Sequence, residues 1–169
     1  MGFVRIDHVG LVANTIEQAT NVLGGALGLD IDEAKSDWPN GRYFGPEQTY
    51  NYFFKVGDGL TQVEVLIPAE GATSGAARWL AQRGPSLHHL CYACEDVHVE
   101  AERLLRNGLT EIDLPRSANG IRTVAFFHPK SVGGVLTELV PAVDPTRVHM
   151  PEASPKGRHS HGPGHTHGS

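Results

Sequence analysis

Residues 86–112 read "SLHHLCYACEDVHVEAERLLRNGLTEI", and residues 5–31 read "RIDHVGLVANTIEQATNVLGGALGLDI". Set one under the other, the two stretches follow one plan. Each opens with an apolar strand that carries a histidine at its fourth position, His8 in the first and His89 in the second. A polar turn follows, and then an apolar stripe at helical spacing. In the first stretch the stripe is Ile16, Ala19, Thr20, Leu23 and Leu27, with Asn14 as the expected N-cap and Glu17 three residues on, as in a capping box. In the second it is Val97, Ala101, Leu104 and Leu105, with Asp96 as the cap and Gly108 as the stop.

Two more apolar strands complete each half. "TYNYFFKV" meets "LTQVEVLIP" through Gly57-Asp58-Gly59, and "RTVAFFHP" meets "VLTELVP" through a loop ending in Gly133-Gly134. A further strand is expected before each hairpin, over residues 29–34 and 110–114, and a helical connector over residues 74–82, closed by Gly84, joins the halves. The pattern predicts an α+β fold of tandem βαβββ modules, about residues 3–70 and 86–143, forming one domain over residues 1–145.

The remainder, from residue 146 to 169, holds five of the ten histidines among Pro, Gly and Ser and almost no apolar residues. Such a segment buries too little surface to offset its ordering entropy and reads as a disordered His-rich tail. The formal net charge is −5, with no dense basic cluster, which argues against nucleic-acid binding. No apolar run approaches the ~20 residues that span a bilayer, and the N-terminus lacks a signal-peptide pattern, so a cytoplasmic protein is expected.

The repeat has a chemical consequence. His8 corresponds to His89, and Glu64, near the end of the first hairpin, corresponds to Glu138 near the end of the second. Two copies related by a pseudo-twofold axis would bring two imidazoles and two carboxylates together. That donor set suits a divalent cation such as Co, Mn, Ni, Zn or Fe, and on an octahedral ion it leaves two positions open for a bidentate oxygen ligand. Strand alternation puts Gln62, Glu64 and Leu66 on one face, and a carboxylate on so apolar a strand needs a partner. Of the two adjacent histidines the repeat selects His89; His88 aligns with Asp7 and is expected to face the other way. Cys91 and Cys94 lie on the same strand with their side chains on opposite faces, so they are expected to pack rather than to act as a redox pair.

"IDHVGLVA", "LHHLCYACEDV" and "AFFHPKSVGGVLTELV" resemble the vicinal oxygen chelate superfamily, which includes glyoxalase I, ring-cleaving dioxygenases and bleomycin-resistance proteins. Within it the motifs are most similar to the methylmalonyl-CoA epimerase family, through "IDHVG", Pro46-Glu47-Gln48, "EVLIP", "LHHL" and the run from His128-Pro129-Lys130 to Glu138. The likeness covers residues 4–141. It implies the metal ligands His8, Glu64, His89 and Glu138, which the repeat also selects. It implies an acid/base carboxylate at Glu47, with Glu138 as its counterpart across the substrate. The activity implied is inversion of the carbon alpha to a thioester, most simply methylmalonyl-CoA, by a homodimer that handles an acyl-CoA and neither nucleic acid nor membrane. Lys130 and Ser131 are candidates for contact with the coenzyme A portion. Alternatives are a glyoxalase-like lyase, another isomerase of the superfamily, or a non-catalytic drug-sequestering module.

Overall fold

The structure is a computed structural model that describes residues 2–114 and 119–142; the His-rich tail lies outside the described residues. Eight strands form one mixed sheet in the order β2-β3-β4-β1-β5-β8-β7-β6, curled into a half-barrel. They are β1 (Phe3–Val12), β2 (Arg42–Phe44), β3 (Thr49–Lys55), β4 (Gln62–Pro68), β5 (Ser86–Cys94), β6 (Glu111–Ile112), β7 (Ala125–Phe127) and β8 (Leu136–Pro141). The order reads the same from the middle outward in each half. β1 and β5 meet antiparallel at the seam, and each is flanked by a parallel partner, β4 or β8. The tandem βαβββ organisation expected from the repeat is therefore present, with the pseudo-twofold axis between β1 and β5.

Each half builds its own core between the sheet and a helix. In the second half, α4 (Val97–Arg106) starts where Asp96 accepts the Val99 amide at 2.9 Å, and it buries Val97, Ala101 and Leu104 against Cys94, Ala125, Phe127 and Leu139. Fully burying a side chain such as Leu104 contributes about 1.5–3 kcal/mol. In the first half, Leu23, Tyr52, Phe54 and Val65 form the equivalent cluster.

The first helix departs from expectation in two ways. Its cap is Thr15 rather than Asn14, with the Thr15 hydroxyl accepting the Gln18 amide at 3.3 Å. After α1 (Ile16–Ala19), residues Thr20–Ala26 wind as a π-helix, and the Leu27 amide reaches back five residues to the Val22 carbonyl at 2.9 Å. The wider turn slips the apolar stripe out of phase. Leu23 stays buried, whereas Leu27 is 64% exposed.

The strand expected over residues 29–34 is also displaced. Only Ile31 makes a bridge there, to Phe54, because Asp32 caps a short helix, α2 (Glu33–Ser36), by accepting the Lys35 amide. The outer strand of this half is β2, further along the chain. Its counterpart over residues 110–114 shortens to β6. Beside β6 the buried Arg122 guanidinium grips Glu111 with two bonds, at 2.7 and 2.8 Å, and Glu102 of α4 with one at 2.8 Å. The connector is α3 (Gly75–Arg83), capped by the Ser74 hydroxyl and closed at Gly84, where φ is +70°. No helix among the described residues is long and apolar enough to cross a membrane.

Candidate metal centre and pocket

The four central strands each supply one member of the expected set: Glu64 on β4, His8 on β1, His89 on β5 and Glu138 on β8. Register brings them together. Across the sheet, Glu64 is level with Gly10 and Gly10 with His89, while His8 is level with Cys91 and Cys91 with Glu138. The two histidines thus sit diagonally across the seam with a carboxylate on either side. One donor atom from each residue lies within 4.8 Å of all the others.

The spacing is tight. His8 Nε2 is 3.0 Å from His89 Nε2, 3.0 Å from Glu138 Oε2 and 3.1 Å from Glu64 Oε2. His89 Nε2 is 3.2 Å from Glu64 Oε2 and 3.0 Å from Glu138 Oε2. Neighbouring ligands at right angles on a cation with bonds of about 2.1 Å would be about 3.0 Å apart. The separations and the two-nitrogen, two-oxygen donor set therefore fit a divalent first-row cation. All four side chains are nearly closed off, and Glu138 keeps the most exposure, at 10%. Its other oxygen, Oε1, makes no hydrogen bond with the described residues.

Three of the four donors are held from behind. Asp7 Oδ1 lies 3.1 Å from His8 Nδ1, and Arg5 Nη2 donates to Asp7 Oδ2 at 2.8 Å. Asn51 Nδ2 donates to Glu64 Oε1 at 2.8 Å, and the Thr49 hydroxyl donates to Asn51 Oδ1 at 2.6 Å. His88 Nδ1 lies 3.1 Å from His89 Nδ1. This last contact overturns the expectation that His88 faces away. The β1–β5 ladder skips a residue at Asp7, between the pairs Ile6–Tyr92 and His8–Cys91, and skips another at His88, between Gly10–His89 and Leu11–Leu87. These are β-bulges, which break strict alternation and turn neighbouring side chains toward one side. Strict alternation puts Asp7 and His88 on the wrong face, and Asn51 carries no signal of its own in the sequence. The available signal was the repeat itself, which aligns Asp7 with His88, two polar residues at one position of otherwise apolar strands.

Burial and charge compete at this cluster. Burial opposes a charged imidazole at His89, yet its hydrogen bonds to Glu138 and Glu64 outweigh it and raise the pKa to about 9. His8 is likewise held well above its usual value, burial being overcome chiefly by the Glu64 charge. Burial works against both carboxylates, but the histidines hold Glu64 well below and Glu138 below the usual range. His88 goes the other way, down to about 4, through burial and the neighbouring His89.

The linkage follows for protein stripped of divalent cations by a chelator. The histidine contribution to stability is fully present below pH 6.5 and fades as pH rises through about 9. The carboxylate contribution is present above about pH 4.5 and fades on acidification. The stripped protein should therefore melt several degrees lower at pH 9.5 than at pH 6.5. An added divalent cation should reverse the loss, since it binds the deprotonated imidazoles. Thermal melts at the two pH values check this; an unchanged or higher Tm at pH 9.5 contradicts it.

The cluster forms the floor of a cavity of about 250 Å³ with apolar walls that include Phe44, Phe53, Leu66 and Phe126. Glu47 lines the same cavity without joining the cluster. Its Oε2 accepts the Ala76 amide at 2.9 Å, in the first turn of α3, and Gly75 gives the carboxylate room, since a Cβ there would lie 3.3 Å from Oε2. The turn that carries it is anchored where Thr73 donates to Gln48 Oε1 at 2.9 Å. Two cations, Lys35 and Arg42, also line the cavity. The Lys35 ammonium donates to Gln62, lies 3.7 Å from Asp7 and sits 4.0 Å over the Phe53 ring. Lys130 and Ser131 do not line it. Ser131 Oγ is engaged locally, donating to the His128 carbonyl and accepting the Thr110 amide. Cys91 and Cys94 are free, buried thiols on opposite faces: Cys94 packs under α4 and Cys91 borders His8. Burial raises both thiols, Cys94 to about 11, as inert packing residues require.

A curled sheet of paired modules with a buried histidine–carboxylate cluster at its seam defines a class of proteins rather than one activity. The chain belongs to the glyoxalase/bleomycin resistance protein/dioxygenase superfamily, which it matches over residues 7–126. The mitochondrial methylmalonyl-CoA epimerase of Dictyostelium discoideum is 28% identical over 142 residues, covering 82% of this chain and 79% of that protein. The ethylmalonyl-CoA/methylmalonyl-CoA epimerase of Cereibacter sphaeroides is 29% identical over 143 residues, covering 80% and 96%. Among solved structures, methylmalonyl-CoA epimerase from Mycobacterium tuberculosis superposes with a TM-score of 0.67 at 26% identity, covering 83% of this chain and 90% of that one.

Proposed function

We propose that this chain is a metal-dependent epimerase that inverts the carbon alpha to a thioester, with methylmalonyl-CoA as its substrate. The observation that carries the proposal is the convergence of His8, Glu64, His89 and Glu138 on the floor of a cavity that also holds Glu47. His8, Glu64, His89 and Glu138 would hold the cation. Bound there, it would supply positive charge where negative charge develops on the substrate oxygens as the alpha proton leaves.

The rest of the chemistry belongs to side chains. Glu47 takes the alpha proton on one face, and the Ala76 amide aims its carboxylate. For the opposite face, Glu138 would act through the oxygen not turned toward the histidines: it would enter the cycle carrying a proton taken from solvent and give that proton to the carbon while Glu47 keeps the one removed, so that the centre inverts. Phe44, Phe53, Leu66 and Phe126 give the cavity an apolar lining beside the reacting groups. A cavity of about 250 Å³ suits the acyl head of the substrate, with the bulk of a coenzyme A outside. Arg42 lines the cavity with no ion pair to the described residues and matches an anionic substrate.

The test is exchange. Protein loaded in turn with Co, Mn, Ni, Zn or Fe is incubated with one epimer of methylmalonyl-CoA in deuterated water, and deuterium at the alpha carbon is followed together with epimerisation. Both are expected, and both should stop on chelation. Absence of exchange with every metal sinks the proposal. Turnover of a glutathione hemithioacetal in its place would select the glyoxalase-like alternative.

A further inference from the structure

The two bulges do more than displace a pair of side chains. We propose that His88 is a positioning residue for the metal centre: its Nδ1 accepts the Nδ1–H of His89 and so fixes the His89 tautomer whose Nε2 faces the other three donors. This inference rests on the metal-binding part of the reading above.

The geometry assigns donor and acceptor. His88 Nδ1 and His89 Nδ1 are 3.1 Å apart, so one nitrogen donates and the other accepts. His89 Nε2 points at Glu64, Glu138 and His8 and must offer a lone pair to ligate a cation. The His89 proton is then on Nδ1, and His88 Nδ1 is the acceptor. His88 carries its own proton on Nε2.

The orientation of His88 is fixed independently. It is 5% exposed, and Trp79 of α3 packs edge-on against it with ring centroids 5.4 Å apart. Trp79 is itself anchored, its indole N–H donating to Ser86 Oγ at 3.0 Å and the Arg83 guanidinium lying 4.0 Å over its ring. The connector helix thus clamps His88, and His88 clamps His89.

The other half performs the same task with different chemistry. Asp7, at the matching bulge, offers a carboxylate oxygen to His8 Nδ1. Outer partners of this kind orient imidazole ligands, and losing one typically weakens metal binding by 10–100-fold.

An isosteric pair of substitutions separates this role from simple packing. His88→Asn places an amide oxygen where Nδ1 stands, because both atoms are two bonds beyond Cβ. His88→Leu keeps comparable bulk and removes the acceptor. Metal affinity is measured by competition with a chromophoric chelator, alongside the visible spectrum of the Co-loaded protein and a melt of each stripped protein. The expected result is an affinity loss of about 10–100-fold with a changed Co spectrum for His88→Leu. His88→Asn should stay within about threefold of the unaltered protein. If His88→Leu binds as tightly as the unaltered protein, or His88→Asn falls as far as His88→Leu with its melt unchanged, the positioning role is wrong while the metal site stands. If the unaltered protein binds no divalent cation, the metal reading itself fails.

Discussion

Gly10→Ala should destroy the metal site. A Cβ at Gly10 would lie 2.1 Å from His89 Cε1, 2.4 Å from Nδ1 and 2.6 Å from Nε2. The His89 ring occupies the space that every other residue would fill with its side chain. Gly10 does not adopt a left-handed backbone, so its role is close approach rather than conformational freedom. The strand cannot yield, because β1 is laddered on both sides, to β4 and to β5. The ring must therefore swing away, losing its contacts with His88, Glu64 and Glu138 together. Metal affinity should fall by at least about 100-fold, which is the upper end of what losing one outer partner alone produces. Overpacking should cost a further 1–3 kcal/mol or so in stability. Chelator competition and denaturant melts measure the two effects. An alanine variant that binds metal as the unaltered protein does would place His89 elsewhere.

Glu47→Gln should leave the metal and abolish the exchange. Glutamine is isosteric, and its amide oxygen can still accept the Ala76 amide, so the turn and α3 stay in place. What is lost is the basic carboxylate at the cavity wall. A positioned proton-transfer group typically contributes 10²–10⁴-fold, and the rate of alpha-deuteration of methylmalonyl-CoA should fall by about that factor. Metal content, read by elemental analysis, should hold at the level of the unaltered protein. Loss of metal would make Glu47 a ligand, and undiminished exchange would remove it from the reaction.

The parts of the fold that the sequence reveals are those written twice. The strand around His8 and the strand around His89 share one pattern, and period-two alternation on β4 is enough to put Glu64 on the inner face and Val65, fully buried, on the outer one. Convergence of the four donors follows from the repeat without any knowledge of distances. Features present in one half only, or that break the period, stay hidden. The π-helical winding after Ala19 changes the phase of a stripe whose residues still look helical, so Leu27 is misplaced. Residues 29–34 have strand-like composition, but Asp32 turns them into a cap, and pairing moves on to Arg42–Phe44. The bulges at Asp7 and His88 hide for the opposite reason. Strict alternation predicts the far face for both residues, and both halves break it at the same place. Asn51 was invisible because its importance lies wholly in what stands across the hairpin from it.

The seam between β1 and β5 has a consequence for descent. Each module owns one imidazole and one carboxylate of the cluster, and neither owns enough to enclose a cation. A chain of half this length could reach the full set only by pairing with a copy of itself across the same antiparallel seam, and the resulting centre would be strictly symmetric. Joining the copies in one polypeptide lifts that constraint. Gly10 could then stay bare while its counterpart became Cys91, and Asp7 could diverge from His88, so that one side of the centre drifted chemically from the other.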